Sequence, residues 1–70
     1  MNRKPKLFLE ALYHLCEPGM FNITLTEQEE DNVFETTIRL SQKQKLIPTN
    51  FLEWRDLVYD AMEIVGYKIV

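Results

Sequence analysis

The first apolar stretch of the chain has the spacing of an amphipathic helix. From Pro5 to Cys16 apolar residues recur every three or four positions, and Pro5 suits a first helical turn. Pro18 and Gly19 follow, a pair that stops a helix. The apolar side chains cover about 240° of the helix surface, which is wider than one packing contact requires. The pattern predicts a first helix over residues 5–16 with an unusually wide apolar face.

A second helix is indicated by Thr26 and Glu29, which have the spacing of a capping box. In this motif the hydroxyl and the carboxylate each bind a free backbone N–H group of the first turn. Acids follow in that turn and bases lie near the end, which complements the helix dipole. The apolar stripe is about 160° wide, as in a surface helix with one buried face. We expect this helix to start after Thr26 and to end at or before Pro48.

The third apolar stretch, residues 51–65, gives the clearest helix. Asn50 precedes it with Glu53 three positions later, which repeats the cap spacing, and Gly66 ends it. Its apolar arc is again about 240° wide and is interrupted by Arg55. A narrow acidic stripe occupies the opposite side. The acidic stripe consists of Glu53, Asp56, Asp60 and Glu63.

Two short segments outside the helices have a pattern compatible with strands. Apolar and polar residues alternate over 21–25, as in a half-buried strand, and the tail 67–70 is the available partner. The predicted fold is therefore mainly α, a compact three-helix domain, with a small two-stranded β ribbon of 21–25 and 67–70 as an optional addition. We expect residues 1–4 to be a flexible N-terminus and 5–70 to form a single helical domain.

Composition limits how such a domain can be stabilised. Seventy residues allow one domain, and a domain of this size buries a low fraction of its surface. The only cysteine, Cys16, cannot form an internal disulfide, so association is the expected support. No apolar run approaches the roughly 20 residues that span a bilayer, and Glu10 and His14 interrupt any signal-peptide core. We expect a cytosolic protein without a membrane segment.

The residue types needed for catalysis are not arranged for it. Cys16 and His14 are two positions apart on one helix and point in different directions, so they do not form a nucleophile–base pair. The acidic stripe lacks the histidine or glycine-containing loop of known carboxylate metal sites, and a solvated helix face is its simpler interpretation. We expect no enzyme activity, no metal site and no cofactor.

The surplus of apolar surface favours a protein-binding function. Two helices with apolar arcs near 240° exceed what a three-helix packing covers, so either one helix is central or part of the surface is an interface. We favour an interface, and with it a small regulatory or adaptor module that forms a homodimer. The candidate contact residues are Leu52, Trp54, Tyr59, Met62, Glu53, Asp56, Asp60 and Glu63.

Nucleic-acid binding is the alternative from a different class. The order helix, strand, helix, helix, strand resembles a winged helix by fold-level analogy, but the acidic stripe of the third helix has the wrong sign for phosphates. The net charge of −3 also argues against it. Two basic clusters could still contact a backbone without regard to base sequence. Their members are Arg3, Lys4, Lys6, Arg39, Lys43 and Lys45.

Overall fold

Three helices form the described part of the chain. A computed structural model describes residues 4–16 and 19–69. The helices are α1 (Lys6–Cys16), α2 (Glu27–Gln44) and α3 (Phe51–Val65). The Cα radius of gyration is 10.9 Å, close to the value of about 11 Å for a compact chain of this length. The predicted mainly α, three-helix fold is confirmed, whereas most of the predicted flexible N-terminus, positions 1–3, lies outside the described residues.

The start of α2 is fixed by the predicted capping box. The backbone N–H of Thr26 donates to the Glu29 carboxylate at 2.8 Å, and the backbone N–H of Glu29 donates to the Thr26 hydroxyl at 3.2 Å. The bonds from Thr26 lower the pKa of Glu29 because they stabilise its ionised form. Both partners of the motif are therefore satisfied, and the helix begins where the sequence places it.

The start of α3 is held by a larger set of hydrogen bonds. The backbone N–H of Glu53 donates to the Asn50 side-chain oxygen at 3.0 Å. The Glu53 carboxylate in turn accepts from the backbone N–H and the hydroxyl of Thr49, each at 2.9 Å. These bonds lower the pKa of Glu53, the backbone bond most strongly. Glu53 therefore belongs to the helix cap.

The core lies where α3 packs against both other helices. The Phe8 ring of α1 is at its centre, 4.9 Å from the Phe34 ring of α2 and 6.0 Å from the Trp54 ring of α3, both edge to face. Such aromatic pairs add to the energy of apolar burial. The backbones of α1 and α2 approach each other less closely than either approaches α3. The central position of α3 accounts for most of its wide apolar arc.

The possible β ribbon does not form among the described residues. The backbone N–H groups of Phe21 and Ile23 donate to the carbonyls of Leu15 and Cys16 at the end of α1, at 3.0 and 2.8 Å. These donors bind carbonyls that are unpaired at the C-terminal end of a helix, so they are not available for hydrogen bonds to a second strand. The predicted alternation is seen only in the burial of side chains: Phe21 is buried and Asn22 is exposed. In the tail, the N–H of Tyr67 caps α3, and position 70 lies outside the described residues.

Candidate interaction surface

A groove separates the end of α1 from the outer face of α3. Its volume is about 450 Å³, and the short segment after α1 closes one side. We call it the α1–α3 groove. It is lined by His14, Leu15, Gly19, Met20, Arg55, Asp56 and Tyr59.

Exposed apolar side chains lie at the groove and on the face of α3 that lines it. Met20, from the segment after α1, is 48% exposed, and Leu52 of α3 is 57% exposed. Leu52 precedes Asp56 by four positions and Tyr59 by seven, so the three share one face of α3. The Tyr59 ring packs against the buried Phe21 ring with centroids 5.6 Å apart, which fixes that edge of the groove. The groove is therefore lined by half-exposed Met20 and the anchored Tyr59, and Leu52 extends the same face of α3.

The charged residues of the groove are one base and one acid. The Arg55 guanidinium lies 3.8 Å from the Asp56 carboxylate, and both side chains are exposed. A pair this long in contact with water contributes little to stability. The His14 ring meets the Phe51 ring edge to face, with centroids 5.6 Å apart. The groove thus carries balanced charges that a partner can pair at little cost.

The fold places some of the predicted contact residues at the surface and others in the core. Asp56 and Tyr59 line the groove, and Leu52 is exposed on the same face of α3. Trp54 and Met62 are 8% and 0% exposed and belong to the core, so the folded domain does not present them to a partner. Both lie on the side of α3 that the other helices cover. A wide apolar arc read from sequence cannot distinguish its covered part from its open part.

The acidic stripe does not act as one unit. Glu53 is engaged in the α3 cap, whereas Asp60 and Glu63 are exposed and do not line the groove. Among the described residues no group of three or more histidines, cysteines or acids is placed to hold a metal ion. Only Asp56 of the stripe reaches the groove.

The basic residues lie on different parts of the surface. The Lys4 ammonium binds Asp31, and this hydrogen bond is the main reason that the pKa of Lys4 is raised. Lys6 is exposed at the start of α1, and Arg3 lies outside the described residues. Arg39, Lys43 and Lys45 are exposed in the C-terminal half of α2 and at its cap, and Lys43 and Lys45 complement the helix dipole there. Within the described chain the analogy to a winged helix fails, because neither of its strands forms.

Sequence reasoning missed Met20 and His14 as members of the groove. Both are on the α1 side, and only the packing of α1 on α3 brings them beside Arg55 and Asp56. It also missed Ile47, which is 81% exposed in the connection before α3. No periodicity marks an isolated residue in a connection, so the pattern had no signal for it.

Comparisons with known proteins identify no related protein. No protein-family model, curated protein or solved structure matches the chain. No helix in the described ranges is long and apolar enough to cross a membrane. Function must therefore be inferred from the surfaces that the fold presents.

Proposed function

We propose that this protein is a non-catalytic protein-binding module that pairs with a second copy of itself through the α1–α3 groove. The observation that carries the proposal is an adjacent acid–base pair, Arg55 and Asp56, in a groove lined by exposed Met20. Exposed Leu52 lies one helix turn before Asp56 and extends the same face of α3. A small regulatory protein can work in this way without any reacting group. The lone cysteine, Cys16, is buried and free, which suits a cytosolic location.

Apolar burial supplies part of the energy for such a dimer. Full burial of a Leu or Met side chain contributes about 1.5–3 kcal/mol, and Met20 and Leu52 are each about half exposed. In a twofold interface each copy contributes both side chains, so four half-exposed side chains are buried, for a sum of roughly 3–6 kcal/mol. Association costs at least about 4 kcal/mol. The apolar contribution therefore allows a weak, reversible dimer provided that the charges are paired.

The charges of the groove fit a second copy better than a strongly basic or acidic partner. In a twofold interface, residue i contacts residue j and residue j contacts residue i. Arg55 and Asp56 are neighbours on one helix, so two antiparallel copies of α3 can form two Arg55–Asp56 pairs across the axis. The Arg55–Asp56 contact within each chain is long and solvent-accessible, so replacing it with a contact between the two chains costs little free energy. A partner of one charge sign would leave one of the two residues unpaired.

Charge reversal tests this pairing. Sedimentation equilibrium of the wild type, Arg55→Asp, Asp56→Arg and the double variant should show a dimer for the wild type. We expect each single variant to dissociate, because it places like charges opposite each other, and the double variant to associate again. Asp60→Arg is the matched control, since Asp60 is an exposed acid of α3 outside the groove.

Two outcomes would contradict the proposal. One is a wild-type species of 8.4 kDa at every concentration up to the millimolar range. The other is a double variant that stays as weakly associated as the single variants, because pairing across a twofold axis requires rescue.

Nucleic-acid binding is a second candidate, supported by the exposed bases Arg39, Lys43 and Lys45 at the end of α2. Such binding would be electrostatic and would weaken steeply as salt rises. A salt titration with single-stranded and duplex oligonucleotides measures it, and Lys43→Glu should weaken it uniformly across sequences. Absence of binding at low salt removes this candidate.

A further inference from the structure

A second pocket lies between α1 and the start of α2. Its volume is about 340 Å³, and the extended segment before α2 forms its third wall. We call it the α1–α2 pocket. Its apolar lining consists of Leu12, Cys16, Ile23 and Leu25.

This pocket is separate from the α1–α3 groove. At 100° per residue, Tyr13 and Cys16 of the pocket lie on one flank of α1, and His14 and Leu15 of the groove lie on the other. Occupying one site therefore leaves the other open. An inference about the pocket does not depend on the proposed dimer.

The chemistry of the pocket is apolar with one anionic group. Burial and then the charge of Glu30 raise the pKa of Cys16 to about 11, so the thiol is neutral and counts as apolar surface. Burial, followed by the charge of the Glu30 carboxylate and its hydrogen bond, raises the pKa of the Tyr13 hydroxyl. Glu30 thus acts on groups of the opposite wall and is the charged member of the lining.

Other acidic residues near the pocket add to the negative charge of Glu30. Glu27, Glu29 and Asp31 lie in the same turns of α2 as Glu30. Lys4 lies nearby and also acts on Glu30, but it is bound to Asp31, so the acids around the pocket still outnumber it. A ligand that carries a carboxylate would meet repulsion here, whereas an ammonium group would be attracted.

We infer that the α1–α2 pocket binds a small amphiphilic amine, with its apolar body against Leu12, Ile23 and Leu25 and its ammonium on the Glu30 carboxylate. Pockets for small molecules hold about 300–1000 Å³ and combine an apolar lining with a few polar groups that orient the ligand. The α1–α2 pocket lies at the lower end of that range, which suits a short alkyl or single-ring amine and excludes a helix.

A matched series of probes tests the inference. Hexylamine, hexanol and hexanoate have the same apolar chain and differ in charge. Titration of each into the isotopically labelled protein, followed by NMR, should shift the amide signals of the pocket residues 12, 13, 16, 23–25 and 30 more than those of His14 and Leu15 in the groove. We expect hexylamine to bind about fivefold more tightly than hexanol, as for a partly exposed ion pair, and hexanoate to bind most weakly.

Variants assign the preference to one carboxylate. Glu30→Gln should remove most of the preference for hexylamine over hexanol, because the other acids of α2 lie outside the lining. Glu27→Gln removes the same charge from the same helix turn at an exposed position outside the lining, so it should keep the preference. Leu25→Trp, which fills the pocket, should abolish binding of all three probes.

Several results would overturn the inference. They are equal affinity for the three probes in the wild type, an unchanged preference in Glu30→Gln, or signal shifts confined to other parts of the chain. An Nα-acetyl-lysine amide offers the same ammonium on a peptide residue. If it binds more tightly than hexylamine, the pocket recognises a lysine of a protein and the small-molecule assignment is wrong.

Discussion

Gly19 occupies a position where the backbone leaves no room for a side chain. A Cβ atom there would lie 2.3 Å from the His14 carbonyl oxygen and 2.5 Å from the Leu15 carbonyl oxygen. Both are backbone atoms at the end of α1, which cannot turn aside as a flexible side chain can. The same position lines the α1–α3 groove, so Gly19 links the stop of the helix to the shape of the surface.

Gly19→Ala should therefore destabilise the fold, by about 3 kcal/mol, because the end of α1 must shift to admit the methyl group. Urea unfolding should give a lower midpoint with an unchanged slope. Gly66→Ala is the control, since Gly66 has φ 125° but open space around it. Its cost is backbone strain alone, about 1 kcal/mol. Equal losses in the two variants would contradict the clash at Gly19, because the methyl group of Gly66→Ala meets open space.

At the scale of elements, local signals predicted the helices and non-local contacts decided the rest. Thr26 and Asn50 act within one turn of their own helices, so their capping roles could be read from sequence and are confirmed. The alternation at 21–25 predicted a strand because it reports which side chains are buried. It does not report where the backbone donors go, and those of Phe21 and Ile23 go to the end of α1.

The Glu53 cap makes one contribution to stability depend on pH. Hydrogen bonds from Thr49 lower the pKa of Glu53 from its ordinary value of 4.5. A carboxylate with a lowered folded-state pKa contributes stability that is present above the unfolded-state pKa and is lost as pH falls through the folded-state pKa. We expect wild type to exceed Glu53→Gln in stability at neutral pH and this difference to shrink below about pH 4.5.

Urea melts of the two proteins between acidic and neutral pH measure that difference. Glu63→Gln, on the same helix at an exposed position, is the control and should not reproduce the trend. A difference between wild type and Glu53→Gln that stays constant down to pH 3 would contradict the role of the Thr49 bonds.

At the scale of the whole molecule, the central place of α3 decides which apolar residues are left for a partner. Trp54 and Met62 are covered by the other helices, whereas Leu52 and Ile64 stay open on the same helix. Sequence could indicate that α3 has more apolar surface than one contact needs. It could not indicate that Met20 would lie beside Asp56 and Tyr59, because that arrangement results from the packing of α1 on α3.

The open apolar positions of α3 provide a direct test of where the molecule associates. Leu52 and Ile64 are 57% and 63% exposed, but only Leu52 lies on the face of Asp56 and Tyr59. Self-association stabilises the folded state by mass action, so the thermal midpoint of the wild type should rise with protein concentration. Leu52→Lys should remove this dependence, because it places a charge in the interface, and Ile64→Lys should retain it. Calorimetry over a hundredfold range of concentration distinguishes these outcomes. A wild-type midpoint independent of concentration, or equal effects of the two lysine variants, would mean that the groove does not join two copies of this chain.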